Sequence, residues 1–159
     1  MNKDLSVMID DVKLNIRVGA IIKYQDKILV EKNKNVDFYV VPGGRVKTLE
    51  NSKDTLLREL NEELGIDFSN EEFKLKSFIE NFFTFDNNKY HELYLLYEVT
   101  LQKDYNLHDG MQNLDNINTN YYLFNYEEFK QHKILPDKLK EIIENNDFNN
   151  YIVDDLNHS

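Results

Sequence analysis

The sequence predicts an α/β fold of the α+β type, in which helices pack on a mixed β-sheet. Three observations favour this class. Strand-like runs are interspersed with helix-like segments, polar turns join neighbouring strand-like runs into hairpins, and no repeat or Pro-, Gly- or Ser-rich linker interrupts the chain. A chain of 159 residues can bury a core of its own, so we expect one domain over residues 1–159.

The amino-terminal part of the chain is predicted to form β-strands. Residues 12–22 and 27–30 are rich in aliphatic side chains and flank a polar turn. Residues 38–41 form a third β-type run. A Pro-Gly-Gly sequence follows it, and we expect this sequence to end the strand because proline and glycine interrupt β-structure.

The rest of the chain is predicted to contain one long helix, further strands and two short helices. A polar turn at residues 86–89 joins two of the strands into a hairpin. The expected helices are residues 53–64, 126–131 and 137–145, the expected strands are residues 73–85, 92–101, 121–124 and 151–153, and a polar loop covers residues 103–120.

Composition and charge exclude several classes of function. The absence of cysteine excludes a disulfide scaffold, a thiol nucleophile and cysteine-based metal sites. The 19 basic and 29 acidic residues give a net charge of −10, which disfavours binding to nucleic-acid phosphates. No apolar run is long enough for a signal peptide or a membrane span, so we expect a cytoplasmic protein with no membrane partner.

The predicted helix over residues 53–64 places three carboxylates on one face. Glu59, Glu62 and Glu63 are spaced i, i+3 and i+4. The other side of the helix holds Leu56, Leu57, Leu60 and Leu64. Like charges at this spacing repel each other unless a cation or solvent screens them, and Mg²⁺ and Mn²⁺ prefer such oxygen ligands. An ordinary solvated face looks the same, so the helix alone does not separate the two interpretations.

Glycines flank this helix. Gly43 and Gly44 have no Cβ atom, so the backbone there can approach a ligand closely. A carbonyl oxygen exposed at these residues would be a further oxygen ligand for a metal ion. Gly65 follows the last predicted helical residue, which is a typical position for the end of a helix. By themselves these glycines are equally typical of plain turns.

The spacing of the whole segment resembles the signature of the Nudix hydrolase family. That signature is a glycine, five residues, a glutamate, seven residues, and then Arg-Glu-aliphatic-any-Glu-Glu-any-Gly-aliphatic. The complete pattern is far more specific than any of its parts. Every constrained position is matched here, by Gly44, Glu50, Arg58, Glu59, Leu60, Glu62, Glu63, Gly65 and Ile66.

The resemblance implies an α/β/α sandwich around a mixed β-sheet, with the signature forming a loop–helix–loop. It also implies hydrolysis of a nucleoside diphosphate linked to another moiety, with Mg²⁺, or Mn²⁺ as its substitute, bound at the signature. Glu62 and Glu63 are similar to the main metal ligands of the family, and Glu59 to a third ligand or the base. The carbonyl group of Gly43 is similar to a further ligand.

Other residues of the signature resemble supporting groups. Arg58 resembles the residue that holds the glutamates in place, and Gly44 and Glu50 resemble residues that support them. Two positions depart from the common pattern, because Lys47 and Leu49 stand where many family members carry glutamate and glycine. The expected catalytic residues are Arg58, Glu59, Glu62 and Glu63.

Candidates outside the signature are less specific. Family members often use a further acidic residue downstream as a ligand or base, and Asp115 is our candidate, with Asp109 and Glu92 as alternatives. Phe83 is a candidate for stacking a nucleobase, although aromatic residues on strands are more often part of the core. His91 is a candidate donor to a phosphate group, although a lone histidine more often has a structural role.

We therefore expect an Mg²⁺-dependent pyrophosphohydrolase acting on a small nucleotide, either a nucleoside triphosphate or a nucleotide-sugar such as ADP-ribose. One alternative is a non-catalytic Nudix domain that binds a nucleotide as a sensor. Another is an isomerase, or a hydrolase of non-nucleoside diphosphates, on the same fold. Homodimers are common in the family, so a second copy of the chain is an expected partner, whereas nucleic acid is not.

Overall fold

The computed structural model describes residues 2–156, and the chain forms nine β-strands and three α-helices within them. None of these helices is long and apolar enough to cross a bilayer. The strands are β1 (Ser6–Ile9), β2 (Val12–Tyr24), β3 (Lys27–Asn33), β4 (Gly43–Arg45), β5 (Lys74–Phe85), β6 (Asn88–Thr100), β7 (Met111–Gln112), β8 (Thr119–Phe124) and β9 (Tyr151–Asp154), and the helices are α1 (Ser52–Leu64), α2 (Tyr126–Gln131) and α3 (Lys138–Asn145).

All nine strands belong to one mixed β-sheet. Seven of them follow the order β7-β8-β3-β2-β6-β5-β9, and β1 and β4 pair with β2 outside this path. Strand β2 is parallel to β6 along most of its length, and β5 is parallel to β9. The remaining pairs are antiparallel, as in the β5–β6 hairpin. The sheet is therefore mixed, as the sequence predicts.

Strands β2 and β3 separate beyond their hairpin turn, and this opens a split in the sheet. They pair only at the two residue pairs beside the turn. Further along, β2 pairs with β4, whereas Glu31 of β3 forms a bridge to Val40. The close approach of β4 requires glycine, because a Cβ atom at Gly43 would lie 1.9 Å from the carbonyl oxygen of Val18.

Helices cover the sheet on both faces. Leu56 and Leu60 of α1 are fully buried in a cluster with one face of β2. On the opposite face, Phe129 of α2 and Ile142 of α3 are fully buried in a second cluster. Two separate apolar clusters on the two sides of one sheet define an α/β/α sandwich, which confirms the predicted fold class.

The sequence misses three short strands and predicts one that does not form. Strand β1 was not predicted because three of its four residues are exposed and it has no buried alternation. Strand β4 consists of the Gly-Gly-Arg segment, where the expectation was a strand end. Residues 38–41 form only isolated bridges, and β7 lies in the predicted loop. Backbone pairing between distant segments decides these elements, and local side-chain patterns do not report it.

Candidate active site

Local capping signals delimit α1. The side chain of Asn51 accepts a hydrogen bond from the backbone N–H of Asp54 and so caps the first turn. Gly65 ends the helix in a left-handed conformation with φ of +69°, and its N–H donates to the carbonyl oxygen of Asn61. Leu56 and Leu60 face the core, Glu62 lies on the exposed side of the helix, and Glu59 and Glu63 are half-buried at the edge between the two sides.

Arg58 lies among the carboxylate groups of three glutamates. Its Nε and Nη2 atoms donate to Glu50 at 2.9 and 3.0 Å in a bidentate pair. Its Nη1 atom donates to Glu59 at 3.1 Å and to Glu62 at 3.2 Å. The hydrogen bonds from Arg58, with a further one from Thr55, hold the pKa of Glu50 down at about 2. Glu50 therefore stays ionised and fixes the guanidinium group that orients the two helix glutamates.

Gly44 brings β4 against the carboxylate face of α1. A Cβ atom at this position would lie 2.5 Å from Cδ of Glu59, so only a glycine fits here without a shift. Gly43, the preceding residue, pairs with Gly19 of β2. The two glycines thus place the β4 backbone directly beside the glutamates, as a backbone ligand would require.

A half-buried acidic cluster extends this face toward the sheet. Tyr121 of β8 donates a hydrogen bond to Oε2 of Glu63 at 2.8 Å. Burial, reinforced by the negative charge of Glu31, raises the pKa of Glu63 well above its usual range. Burial also raises the pKa of Glu31 to about 7, although Arg17 opposes the rise. Among the described residues, Oε2 of Glu31 is buried with no hydrogen-bond partner.

Sequence reasoning missed Glu31. The signal was a single glutamate in the apolar run of β3, on the same side of the strand as buried Leu29. An inward charge on a strand usually has a partner or a function. Without the tertiary structure, nothing connects this residue to a signature that begins 13 residues later in the chain.

The donor set fits a divalent cation. Glu31 and Glu63 repel each other in a buried environment, and nearby Glu59 adds to the repulsion, so a cation among them would relieve a charge excess. As the side chains stand, no group of three acidic or histidine residues within residues 2–156 is arranged to hold one ion. Arg58 explains this, because it draws Glu59 and Glu62 toward its own guanidinium group.

A cavity of about 630 Å³ opens at the split in the sheet, next to the acidic cluster. Glu31 lines it, and so connects the cavity to Glu63 of α1. Arg17 and Arg45, which face each other across β2 and β4, also line it and give it positive charge in an acidic protein. Other lining residues are Asn15, Phe38, Asn81, Phe83, Tyr90, Glu92 and Tyr94.

Of the residues predicted outside the signature, Phe83 and Glu92 line this cavity and His91 does not. Phe83 lines it and stacks on Tyr90 with ring centroids 4.8 Å apart. Glu92 lines it as well and is buried. His91 lies on the opposite face of β6, where its ring is 4.6 Å from that of Phe82.

The two downstream aspartates lie on either side of β7, Asp109 before it and Asp115 on the loop between β7 and β8. Asp109 accepts a hydrogen bond from the backbone N–H of Leu123. Asp115 is exposed, and its loop contacts the end of α1 through a 2.8 Å hydrogen bond from Leu114 to the carbonyl oxygen of Glu63. The loop is thus fixed beside the helix, while the cavity described above lies elsewhere.

Comparison with known proteins identifies the family. The NUDIX domain family matches residues 13–145, and the chain therefore belongs to this family. A protein of Proteus vulgaris named 8-oxo-dGTP diphosphatase is 36% identical over 64 residues. Those residues are 38% of this chain and 57% of that protein, so the match spans little more than half of the relative.

Solved structures show the same fold. The MutT protein of Bacillus halodurans has a TM-score of 0.63 and 17% identity, covering 82% of this chain and 80% of that one. A MutT NUDIX hydrolase of Burkholderia pseudomallei has a TM-score of 0.61 and 20% identity, covering 80% and 95%. The MutT protein of Methanosarcina mazei Go1 has a TM-score of 0.60 and 19% identity, covering 87% and 95%. The predicted family and fold class are both confirmed.

Proposed function

We propose that this protein is a metal-dependent pyrophosphohydrolase that cleaves a phosphoanhydride bond in a nucleoside diphosphate linked to another moiety. The observation that carries the proposal is the continuity between the glutamate face of α1 and the cavity, which Glu31 joins. Membership of the NUDIX family supports the hydrolase class. The candidate substrates are nucleoside triphosphates and nucleotide-sugars such as ADP-ribose.

The carboxylate face of α1 is the proposed metal site. Glu62 and Glu63 would be the main ligands of Mg²⁺, or of Mn²⁺ in its place, with the carbonyl group of Gly43 as a further ligand. When bound, the ion supplies charge neutralisation at the phosphate oxygens and a water molecule of lowered pKa. Glu59 is either a third ligand or the base that takes the proton of that water.

The other side chains hold the substrate and the glutamates in place. Arg58 orients Glu59 and Glu62 through the hydrogen bonds described above. Arg17 and Arg45 provide positive charge in the cavity, where a diphosphate would otherwise meet an acidic surface. Phe83 offers an aromatic ring to a nucleobase. For these groups to act together, the phosphates of the substrate must lie at the Glu31 end of the cavity and its nucleobase at the Phe83 end.

His91 and Asp115 remain predictions of the sequence alone. In the structure, the ring of His91 contacts Phe82 on the far face of β6, and Asp115 is exposed on the loop beside α1. Their roles as phosphate donor and metal ligand are tested by His91→Ala and Asp115→Asn. An unchanged kcat and KM in either variant would remove that residue from the proposed site.

A substrate panel tests the function. Release of phosphate or pyrophosphate-linked products is measured with Mg²⁺ and with Mn²⁺, on nucleoside triphosphates, ADP-ribose and 8-oxo-dGTP. 8-oxo-dGTP is included because one relative is named 8-oxo-dGTP diphosphatase. We expect turnover of at least one compound, and loss of at least about 100-fold of kcat in Glu62→Gln and in Glu63→Gln because a charged oxygen ligand is removed.

One control and two contrary outcomes make the result decisive. Circular dichroism of both variants must match that of the parent protein, so that loss of turnover is not loss of fold. Near-normal kcat in both variants would contradict the metal-site assignment. Silence of the parent protein across the panel, combined with thermal stabilisation by a nucleotide, would instead identify a non-catalytic sensor domain.

A further inference from the structure

The carboxyl-terminal strand β9 adds a side to the cavity from outside the family match. The NUDIX family matches residues 13–145, whereas β9 covers Tyr151–Asp154 and ends the listed strand order beside β5. Strand β9 pairs in parallel with β5, and the backbone N–H of Asp155 continues this pairing by donating to the carbonyl oxygen of Phe82 at 2.8 Å. Asp155 lines the cavity. The cavity therefore includes a residue that the family match does not cover.

The register of β9 places Asp155 next to Phe83. Asp154 lies opposite Phe82, so the following residues of the two strands are neighbours as well. Neighbouring residues of paired strands point to the same face of a sheet, and both Asp155 and Phe83 line the cavity. Val153, two residues earlier on the same face of β9, packs against the apolar cluster on this side of the sheet. Asp155 thus stands one strand spacing, about 4.8 Å, from Phe83.

The carboxylate of Asp155 is exposed and accessible to a ligand. Within residues 2–156 it accepts no hydrogen bond and forms no ion pair. Both oxygens of a carboxylate are acceptors, so its preference for donors does not depend on how the side chain is rotated. Asp154 differs, because its side chain points to the other face of the sheet and accepts from the N–H of Leu156 at 3.2 Å.

The stacked aromatic pair leaves one face of the Phe83 ring for a nucleobase. The other face stacks on Tyr90 of β6 with an interplanar angle of 2°. Since β5 lies between β6 and β9, the free face of Phe83 is on the side of β9. A base stacked on this free face therefore lies over β9, and its edge meets the carboxylate of Asp155.

The position of the positively charged side of the cavity fits this orientation. Arg17 is level with Tyr94 of β6, whereas Phe83 is level with Tyr90, four residues earlier on the same strand. At about 3.3 Å per residue, Arg17 and Phe83 are about 13 Å apart along the strands. A nucleotide with its phosphates near Arg17 thus extends along the sheet, with the base at the end that reaches Phe83 and Asp155.

We propose that Asp155 determines the base specificity of this site, and that it selects guanine nucleotides. Guanine carries two adjacent N–H donors, at N1 and at its 2-amino group, and these can bind both carboxylate oxygens. Adenine instead places an acceptor at N1 beside its 6-amino group, and a carboxylate repels that acceptor. This inference rests on the proposed nucleotide function and names the substrate class within it.

Binding of guanine and adenine nucleotides tests the proposal. Dissociation constants are measured by calorimetry with Mg²⁺ for the α,β-methylene analogues of GTP, ITP and ATP. In the parent protein, we expect the GTP analogue to bind about tenfold or more tightly than the ATP analogue. The ITP analogue should lie between them, because inosine keeps the N1 donor and lacks the 2-amino group. In Asp155→Asn, the ratio of GTP to ATP binding should fall to about twofold or less, because an amide offers one donor and one acceptor.

The matched control is Asp154→Asn, which removes the same charge from the same strand on the other face of the sheet and should keep the parent ratio. No binding by any analogue, equal binding of the GTP and ATP analogues by the parent protein, or a preference that persists in Asp155→Asn would overturn the inference. The parent measurement needs no variant, so a folding defect in Asp155→Asn does not block the test. Guanine preference without hydrolysis would contradict the proposed function alone, whereas hydrolysis without base preference would contradict only the role of Asp155.

Discussion

At the scale of single residues, Arg58 and its partners show how charge organises the site. One guanidinium group contacts Glu50, Glu59 and Glu62 at once, and all three of its nitrogen atoms donate to a carboxylate. The hydrogen bonds to Glu50, followed by the charges of the nearby glutamates, raise the pKa of Arg58 above its usual range, so it is always charged. Arg58 therefore acts as a fixed positive centre within an otherwise repulsive carboxylate face.

We expect Arg58→Lys to lower kcat by about tenfold or more, because a single ammonium group cannot donate to three carboxylates in fixed geometry. The control is Lys53→Arg, an exchange of the same two residue types on the exposed side of the same helix, which should leave kcat unchanged. Steady-state kinetics on a substrate found in the panel makes the comparison. Equal kcat values in the parent protein and in Arg58→Lys would show that the guanidinium geometry is not needed.

Leu49 shows strain in the loop before α1. Its φ is +63°, a left-handed conformation that side chains with a Cβ atom disfavour, and its side chain is fully exposed. Many family members carry glycine here, so the sequence departs from the pattern where the backbone would favour glycine.

We expect Leu49→Gly to raise the free energy of unfolding by about 0.5–1 kcal/mol, since relief of the left-handed strain exceeds the added entropy of the unfolded chain. Urea denaturation measures the change. Leu49→Ala keeps the Cβ atom and should raise the free energy of unfolding only slightly. A similar gain in both variants would mean that removal of an exposed apolar side chain, and not backbone strain, is responsible.

At the scale of secondary-structure elements, the site depends on contact between α1 and β4. Helix α1 is capped at both ends and packs its leucines on the sheet, while β4 is a segment of only three residues held by β2. Gly44 lets the β4 backbone lie against Glu59. The glycine of the signature thus has a packing reason, in addition to any role of its backbone with a ligand.

We expect Gly44→Ala to lower the free energy of unfolding by about 1–3 kcal/mol, because the new Cβ atom collides with Glu59. In a Glu59→Ala background, Gly44→Ala should lower the free energy of unfolding by much less, since the colliding carboxyl group is gone. Denaturant unfolding of the four proteins in this double-mutant cycle measures the difference. Equal costs in the two backgrounds would rule out Glu59 as the cause.

At the scale of the whole molecule, buried negative charge links stability to pH. Glu31 has a pKa of about 7 in the folded protein and an ordinary value of 4.5, and the pKa of Glu63 is raised in the same direction. Between these pH values the folded protein binds more protons than the unfolded chain. The free energy of unfolding contributed by these groups is therefore greatest below pH 4.5 and falls as pH rises through 7.

We expect the melting temperature of the metal-free protein to fall between pH 5 and pH 8. The fall should be smaller in Glu31→Gln than in the parent protein. Differential scanning calorimetry across this range measures it, with EDTA present. Glu144→Gln, on an exposed part of α3, is the control and should leave the slope unchanged. Addition of Mg²⁺ at pH 8 should raise the melting temperature of the parent protein. A parent slope that Glu31→Gln does not alter would contradict the role of this cluster.

The predicted organisation as one domain over residues 1–159 and the expected homodimer remain predictions at this scale. Calorimetry and sedimentation test them directly. A single cooperative transition with equal calorimetric and van't Hoff enthalpies would support one domain. A sedimentation coefficient that changes with protein concentration would support a dimer.

The sequence by itself determined the long helix, its glutamate face and the family. These features are local, because side chains three and four residues apart share one helix face and the glycines, arginine and glutamates of the signature lie within 23 consecutive residues. It also indicated a mixed sheet, and the β5–β6 hairpin was visible from two strand-like runs around a polar turn. The helical spacing alone was enough to place Glu59, Glu62 and Glu63 on one ridge.

Only the tertiary structure decided what lies beside that ridge. Glu31 lies near Glu63 because β3 pairs Glu31 with Tyr121, the hydrogen-bond partner of Glu63. Asn81 lies opposite Glu92 because β5 and β6 pair in one register. A shift of one residue would have turned these side chains to the other face, as the position of His91 shows. Register and strand order arise from contacts between distant segments, so no local pattern encodes the cavity.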